Sequence, residues 1–170
     1  MTPAFLVEPL AKKHCRDNFS CGIEALDRYF REQVTQDLRR RVATCFVAAE
    51  RDTHAVAGFY TLAATSIALG SLPEALRKKL PRYPTVPAVR MGRLAVATTF
   101  SGRGLGAALL ADALARTMNS DIAAYALIVD AKDEAAAHFY QHHQFSPFSA
   151  NPLMLYLPWG RLGRLGKLAQ

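Results

Sequence analysis

The run Ser101-Gly102-Arg103-Gly104-Leu105-Gly106-Ala107 lies between a short apolar segment, 94–97, and a stretch of helix-forming residues that continues to 118. The apolar segment predicts a strand, and leucines four and five residues apart predict a helix after the glycines. Strand, glycine-rich loop and helix in this order direct backbone N–H groups at one point, at the positive end of a helix dipole. Glycine permits positive φ and close approach of a ligand. The run therefore predicts a phosphate-binding site.

Three interpretations of this loop are open on its residues alone. Residues 102–107 fit the dinucleotide fingerprint G-x-G-x-x-A, and Asp130 lies roughly where a ribose-binding acid would be expected. Residues 98–101, however, separate the strand from the first glycine, whereas a dinucleotide-binding turn begins at the strand end. The pattern R/Q-x-x-G-x-G/A, the pyrophosphate loop of CoA-dependent acetyltransferases, instead uses Gly104 and Gly106. The third interpretation is an ordinary glycine-rich turn between a strand and a helix.

Composition limits the class of protein. A chain of 170 residues that is 51% hydrophobic can bury a core and is not of disordered type. Its net charge of +7 favours an anionic ligand or a polyanionic partner. The three cysteines, 15, 21 and 45, form no C-x-x-C pair, so we expect neither a disulfide framework nor a metal site. We find no apolar run long enough to span a membrane and no secretory signal, and we expect a protein of the reducing, cytoplasmic compartment.

The remaining segments predict alternating strands and helices. Strands are expected at 5–7, 45–49, 56–67, 89–97, 124–129 and 153–157, and helices at 23–41, 74–80, 104–119 and 134–143. Ser20 and Asp133 are the expected N-caps of the first and last helices. The order predicts an α/β fold. We expect residues 1–158 to form one domain and the glycine-rich residues 159–170 to form a basic, mobile tail.

The last predicted helix carries candidate proton donors. Phe139, Tyr140 and His143 share one of its faces, and we expect Phe139 to enter the core while Tyr140 turns towards a cleft. A phenol with a pKa of about 10 is a suitable acid for a departing thiolate with a pKa of about 8.5. The alternative for Tyr140 is a core tyrosine with a satisfied hydroxyl. His138, His142 and His143 are candidate imidazole bases, and the alternative for them is ordinary surface histidines at a helix end.

Four segments together carry a family resemblance. They are Val56-Ala57-Gly58-Phe59-Tyr60-Thr61-Leu62-Ala63, Arg93-Leu94-Ala95-Val96, Gly102-Arg103-Gly104-Leu105-Gly106 and Phe139-Tyr140-Gln141-His142-His143-Gln144-Phe145. In combination the chain, almost to Pro158, resembles the GNAT acetyltransferases, and more narrowly the type II toxin–antitoxin toxins of the TacT and AtaT kind, which acetylate aminoacyl-tRNA. Two positions depart from the family pattern: Ser101 replaces a Gln or Arg, and Gln144 replaces a glycine.

The resemblance implies a GNAT fold, with helices on both faces of a mixed sheet that splays at Val96, and acetyl-CoA as cosubstrate. The backbone of Leu94, Ala95 and Val96 would hold the pantetheine and the acetyl carbonyl. The pyrophosphate would be bound by Arg103, Gly104, Leu105, Gly106 and Ala107. Tyr140 would be the general acid for the CoA thiolate.

A basic, proline-bounded segment points to the second substrate. The expected contacts to the tRNA acceptor end are Arg77, Lys78, Lys79, Arg82, Arg90 and Arg93. Phosphate contacts of this kind give salt-dependent affinity and little sequence information. An α-amine has a pKa near 8, lowered further in an ester, so its deprotonation needs little help, whereas a lysine near 10.4 would need a base. The alternatives are a small amine or protein N-terminus as acceptor, or a non-catalytic CoA- or RNA-binding module. The resemblance also implies a ribbon-helix-helix antitoxin and a homodimer.

Overall fold

Seven strands and five α-helices make up the computed structural model, which describes residues 4–160. The strands are β1 (Phe5–Pro9), β2 (Thr44–Glu50), β3 (Val56–Ala68), β4 (Thr85–Val96), β5 (Ala126–Asp130), β6 (Ser146–Phe148) and β7 (Asn151–Pro158). The helices are α1 (Glu24–Arg28), α2 (Val34–Arg40), α3 (Glu74–Arg77), α4 (Leu105–Met118) and α5 (Glu134–His142). The strand order is β1-β2-β3-β4-β5-β7-β6. Since β4 and β5 are parallel while β5 and β7 are antiparallel, the predicted mixed α/β sheet is confirmed.

The described residues divide into two compact units. Unit 1 contains residues 4–63 and 92–115, and unit 2 contains residues 64–91 and 116–160. Strands β3 and β4 each contribute residues to both. The proposed basic tail falls mostly on residues 161–170, which lie outside the described residues. At the end of unit 2, the Trp159 indole N–H donates to the Ala124 carbonyl at 2.5 Å.

Helices cover both faces of the sheet in unit 1, as predicted. Adjacent strand residues point to opposite faces. The Tyr60 hydroxyl donates to Asp112 of α4 at 2.5 Å. On the other face the Phe59 ring stacks on Phe30, with ring centroids 4.2 Å apart and planes 10° apart. Both phenylalanines are fully buried, so this stack lies in the core that attaches the first helical segment.

The first helical segment differs from its prediction in two respects. A π-helical turn, Tyr29–Gln33, separates α1 from α2, and consecutive Tyr29 and Phe30 are both buried there. Ser20 is not the N-cap, so that prediction was wrong. The helix begins at Glu24 with no side-chain cap, and the Asp27 carboxylate instead accepts from the Cys21 N–H at 2.8 Å. Asp27 thus binds an amide of the segment before the helix, while the amides of the first helical turn receive no side-chain cap.

The segment from α5 to β7 has the predicted N-cap and contains one strand that was not predicted. Asp133 accepts from the Ala136 N–H at 2.8 Å, which confirms the cap. The sequence predicts only a break after α5, but Ser146–Phe148 forms β6 and pairs with β7. Gln144, which stands where the family has glycine, has a φ of 75° and so adopts the left-handed conformation of a glycine. The turn therefore retains a left-handed residue despite the substitution.

The three cysteines are free thiols in very different surroundings. Cys15 is exposed, Cys21 is half-buried and Cys45 is buried. Burial raises the pKa of Cys45 to about 12, which keeps this thiol protonated and unreactive at neutral pH. Within residues 4–160, no helix combines the length and the apolar character that crossing a bilayer requires.

Candidate functional site

The glycine-rich loop adopts a backbone that glycine alone enters without strain. Gly102 has a φ of 78° and Gly104 a φ of 74°, both in the left-handed region. A Cβ built on either residue meets no atom within 4 Å. These glycines are therefore required by their dihedral angles rather than by crowding, and the space in front of them is open to a ligand.

Helix α4 begins immediately after the loop, and its first amides have no acceptor within the helix. Its first backbone bond runs from the Ala108 N–H to the Gly104 carbonyl, at 3.1 Å. The amides of residues 105–107 come before Ala108, so the helix provides no carbonyl one turn earlier for them to bind. They lie at the positive end of the helix dipole. Arg103 is exposed beside them, with its guanidinium carbon 5.5 Å from the centroid of the Phe100 ring. The loop and helix start thus form a positive, open site suited to a diphosphate.

Ser101, the first departure from the family pattern, is occupied within its own turn. Its hydroxyl donates to the Thr98 carbonyl at 2.9 Å. This bond closes the short 3-10 turn Thr98–Phe100 that connects β4 to the loop. The serine therefore stabilises the approach to the loop, and the side-chain cation at the site comes from Arg103.

Strand β4 leads to the loop through a close contact with β3. The Ala97 N–H donates to the Ala57 carbonyl at 2.8 Å. A Cβ on Gly58 would lie 2.9 Å from the Ala95 carbonyl oxygen and 2.8 Å from Leu109 Cδ1. Gly58 therefore allows β3, β4 and α4 to approach one another closely, next to the backbone expected to hold pantetheine.

We expect Gly58→Ala to destabilise unit 1 and to weaken acetyl-CoA binding. The added methyl group would clash with the Ala95 carbonyl, and this backbone cannot move aside as the flexible Leu109 side chain can, so the strand must distort. The expected loss in free energy of unfolding is about 1–3 kcal/mol, measured by denaturant titration, with a several-fold rise in the Kd for acetyl-CoA. Gly70→Ala is the matched control, because its Cβ meets nothing within 4 Å. Equal stability of the two variants would contradict this account.

Tyr140 is buried in unit 2, and its hydroxyl has no hydrogen-bond partner among residues 4–160. Its side chain is 5% exposed and its ring lies 5.6 Å from that of Phe145. Burial, and then the charge of Asp130, raise the pKa of Tyr140 well above the ordinary phenol value. Among the described residues, every side-chain oxygen or nitrogen that is fully buried has a hydrogen-bond partner. Since the Tyr140 oxygen has none, it is not fully buried and keeps some contact with solvent. Phe139 is only half-buried, and the predicted order of burial was therefore wrong.

An ion pair near Tyr140 was not foreseen from the sequence. Arg90 donates to Asp130 Oδ2 from Nε, at 2.5 Å, and from Nη2. Asp130 ends β5, and the sequence suggested for it only the role of a ribose-binding acid. The parallel pairing of β4 with β5 places Arg90 opposite Ile128, two residues from this carboxylate. Forty residues separate the pair in sequence, so only correct strand pairing would have revealed it.

The predicted tRNA contacts divide into three groups. Arg77, Lys78, Lys79 and Arg82 are exposed on α3 and the loop that follows it. Arg90, also exposed, is held by Asp130. Arg93 is only partly exposed, and its guanidinium carbon lies 3.5 Å from the centroid of the Tyr29 ring, in a cation–π contact. The first two groups and Tyr140 belong to unit 2, whereas Arg93, residues 94–96 and the glycine loop belong to unit 1.

Comparison with known proteins identifies similar chains. A family model described as an acetyltransferase (GNAT) domain matches residues 41–147. A "tRNA-acetylating toxin" from Mycobacterium tuberculosis is 37% identical over 142 residues, covering 82% of this chain and 83% of that protein. The structure of AtaT complexed with acetyl-methionyl-tRNAfMet superposes with a TM-score of 0.87 at 27% identity, covering 95% of this chain and 98% of that one. The structure of AtaTR bound with AcCoA has a TM-score of 0.79 at 26% identity, with the same coverage.

Proposed function

This chain belongs to the GNAT family of acetyltransferases, and from that premise we propose that it acetylates the amino group of aminoacyl-tRNA and so blocks translation. The observation that carries the proposal is the open anion site made by the glycine loop and the start of α4. The acceptor is suggested by the relatives, one named as a tRNA-acetylating toxin and another solved with acetylated methionyl-tRNA.

The residues of the loop fit the diphosphate of acetyl-CoA. Three consecutive amides, 105–107, and the exposed Arg103 supply hydrogen-bond donors and positive charge, and the left-handed glycines leave room for the ligand. We assign the pantetheine and acetyl carbonyl to the backbone of Leu94, Ala95 and Val96. When bound, acetyl-CoA supplies an activated acyl group and a thiolate leaving group. The protein then contributes mainly position and a proton.

Tyr140 is the proposed source of that proton. A phenol is protonated throughout the neutral range, and burial raises the pKa of Tyr140 further, so the hydroxyl always carries its proton there. Because a raised pKa also makes the phenol a weaker acid, the proposed transfer depends on the position of the hydroxyl beside the departing thiolate. The absence of a partner within residues 4–160 leaves this proton free for substrate. The acceptor α-amine, with a pKa below about 8, is partly neutral without a dedicated base.

The basic residues of unit 2 are the proposed contacts to tRNA. Arg77, Lys79 and Arg82 are exposed, and the pair of Lys78 with Glu74, at 3.5 Å between largely exposed side chains, is worth at most about 1 kcal/mol. A phosphate can therefore displace Glu74 at little cost. Arg90 and Arg93 retain their protein partners and are proposed as secondary contacts.

Acetyl transfer to charged tRNA tests the proposal. Incubation with aminoacyl-tRNA and labelled acetyl-CoA should place label on the tRNA, and mild alkali should release it as N-acetyl-amino acid. Uncharged tRNA is the control and should stay unlabelled. Failure to label any charged tRNA, with salt-insensitive turnover of a small amine instead, would favour the alternative acceptor.

The partner, the oligomeric form and the compartment of the protein are proposed from the same function. An enzyme that blocks translation requires restraint, and we propose a ribbon-helix-helix antitoxin as its partner, a homodimer as its form and the cytoplasm as its compartment. The net charge of +7 is compatible with an acidic segment on the antitoxin. Co-expression with a ribbon-helix-helix antitoxin that binds this protein should restore growth and give a stable complex on size exclusion.

A further inference from the structure

Tyr83 is the one aromatic residue within residues 4–160 whose side chain is largely exposed. It is 64% exposed, whereas the other phenylalanine, tyrosine and tryptophan side chains of that range are buried or half-buried. Tyr83 directly follows Arg82 and belongs neither to the cluster of buried residues around Phe30 nor to the one around Tyr156. The exposed ring offers a large apolar face, together with a polar hydroxyl, to a ligand.

The backbone around Tyr83 is held in place. Leu76 and Leu80 pack against the core of unit 2. The Tyr83 N–H donates to the Pro81 carbonyl at 2.9 Å, and the Pro84 carbonyl accepts from the Leu69 N–H at 3.0 Å. A ring presented from a fixed backbone loses little conformational entropy on binding.

The charge around the ring favours nucleic acid over a protein partner. Arg77, Lys78, Lys79 and Arg82 are exposed within six residues of Tyr83, and Glu74 is the nearest acid in sequence. The core of a protein–protein interface is usually apolar and depleted of charged residues, whereas no other large apolar residue of 70–90 is exposed. A bare ring among cations is instead typical of sites that stack an unpaired base while the cations contact phosphates.

We propose that Tyr83 stacks on an unpaired base at the 3′ end of tRNA, while the cations of 77–82 contact the adjacent phosphates. The inference rests on the proposed function and adds to it a contact that recognises the single-stranded end. Stacking is indifferent to base identity, so this contact selects an unpaired end rather than a particular tRNA.

Binding of uncharged tRNA tests the inference separately from catalysis. Two ligands are compared by fluorescence anisotropy: intact tRNA and the same tRNA without its unpaired 3′ nucleotides. We expect Tyr83→Ala to weaken binding of intact tRNA roughly 5- to 150-fold and to leave binding of trimmed tRNA almost unchanged. Tyr83→Phe and Tyr83→Trp should retain affinity. Arg82→Ala should lower the slope of log affinity against log salt by about 0.7–0.9, whereas Tyr83→Ala should not change it.

Ile122→Ala is the matched control for loss of an exposed apolar side chain, because Ile122 is 80% exposed in the same unit. It should bind both tRNAs like the wild type. Equal weakening of both tRNAs by Tyr83→Ala, or no weakening, would overturn the inference even if charged tRNA is acetylated. Wild-type protein that neither binds nor acetylates tRNA would instead refute the proposed function. Loss of antitoxin binding by Tyr83→Ala with tRNA affinity intact would assign the ring to a protein interface and refute stacking.

Discussion

The Tyr140→Phe variant is expected to bind acetyl-CoA like the wild type and to turn over about 10²- to 10⁴-fold more slowly, the usual contribution of a positioned acid. The substitution removes one oxygen that has no hydrogen-bond partner within residues 4–160 and preserves the buried ring. Folding should therefore be almost unaffected. The measurement is kcat for acetylation of charged tRNA at saturating acetyl-CoA, beside the Kd for acetyl-CoA from calorimetry.

His138→Gln is the control on the same helix, because His138 is exposed and has no place in the proposed site. Its kcat should match that of the wild type. If Tyr140→Phe retained kcat within threefold, the phenol would not be the acid. If the variant instead lost acetyl-CoA affinity and stability together, Tyr140 would be a packing residue only.

The Gly104→Ala variant should bind acetyl-CoA about 10- to 100-fold more weakly. An alanine at a φ of 74° is strained by roughly 1–2 kcal/mol, and the loop can relieve that strain by turning its amides away from the ligand. A hydrogen bond to a charged group contributes about 1.5–3 kcal/mol, so loss of one such bond to the diphosphate accounts for the expected change. Calorimetric titration with CoA measures it.

Gly22→Ala is the control that distinguishes the effect of backbone strain from the effect of lost contacts with the ligand. Gly22 also has a positive φ, 87°, but lies outside the loop, so its substitution should destabilise the fold without a comparable loss of CoA affinity. The anion-site assignment fails if both variants bind CoA equally well. Tight binding of a nicotinamide dinucleotide by the wild type would revive the alternative interpretation of the glycine pattern.

Local signals in the sequence predicted much of the fold. The glycines before α4, the aspartate cap of α5 and the apolar strand segments act through near neighbours, and each was found close to its expected position. The π-turn at Tyr29–Gln33 was not predictable from three- and four-residue spacing, because two consecutive rings are buried at once there. Strand β6 has only three residues and depends on its pairing with β7, too short a segment for any periodic pattern to detect.

The sequence could indicate only the part of the candidate site that lies in one contiguous run, and its binding of phosphate stays a prediction. The loop residues 103–107 form an open, positive helix start, as expected for phosphate binding. The surroundings of Tyr140 were not predictable, because its burial and the Asp130–Arg90 pair depend on strand pairing between distant segments. The cation–π contact of Arg93 with Tyr29 likewise joins segments 64 residues apart, which no local motif reveals.

The left-handed Gln144 limits which residues evolution or a mutagenesis library can place at the exit of α5. Asparagine, aspartate and glycine enter this region of dihedral space at low cost, whereas valine, isoleucine and threonine are excluded by their branched Cβ. A saturation library at this codon should therefore be depleted of β-branched residues, even though the side chain is exposed to solvent.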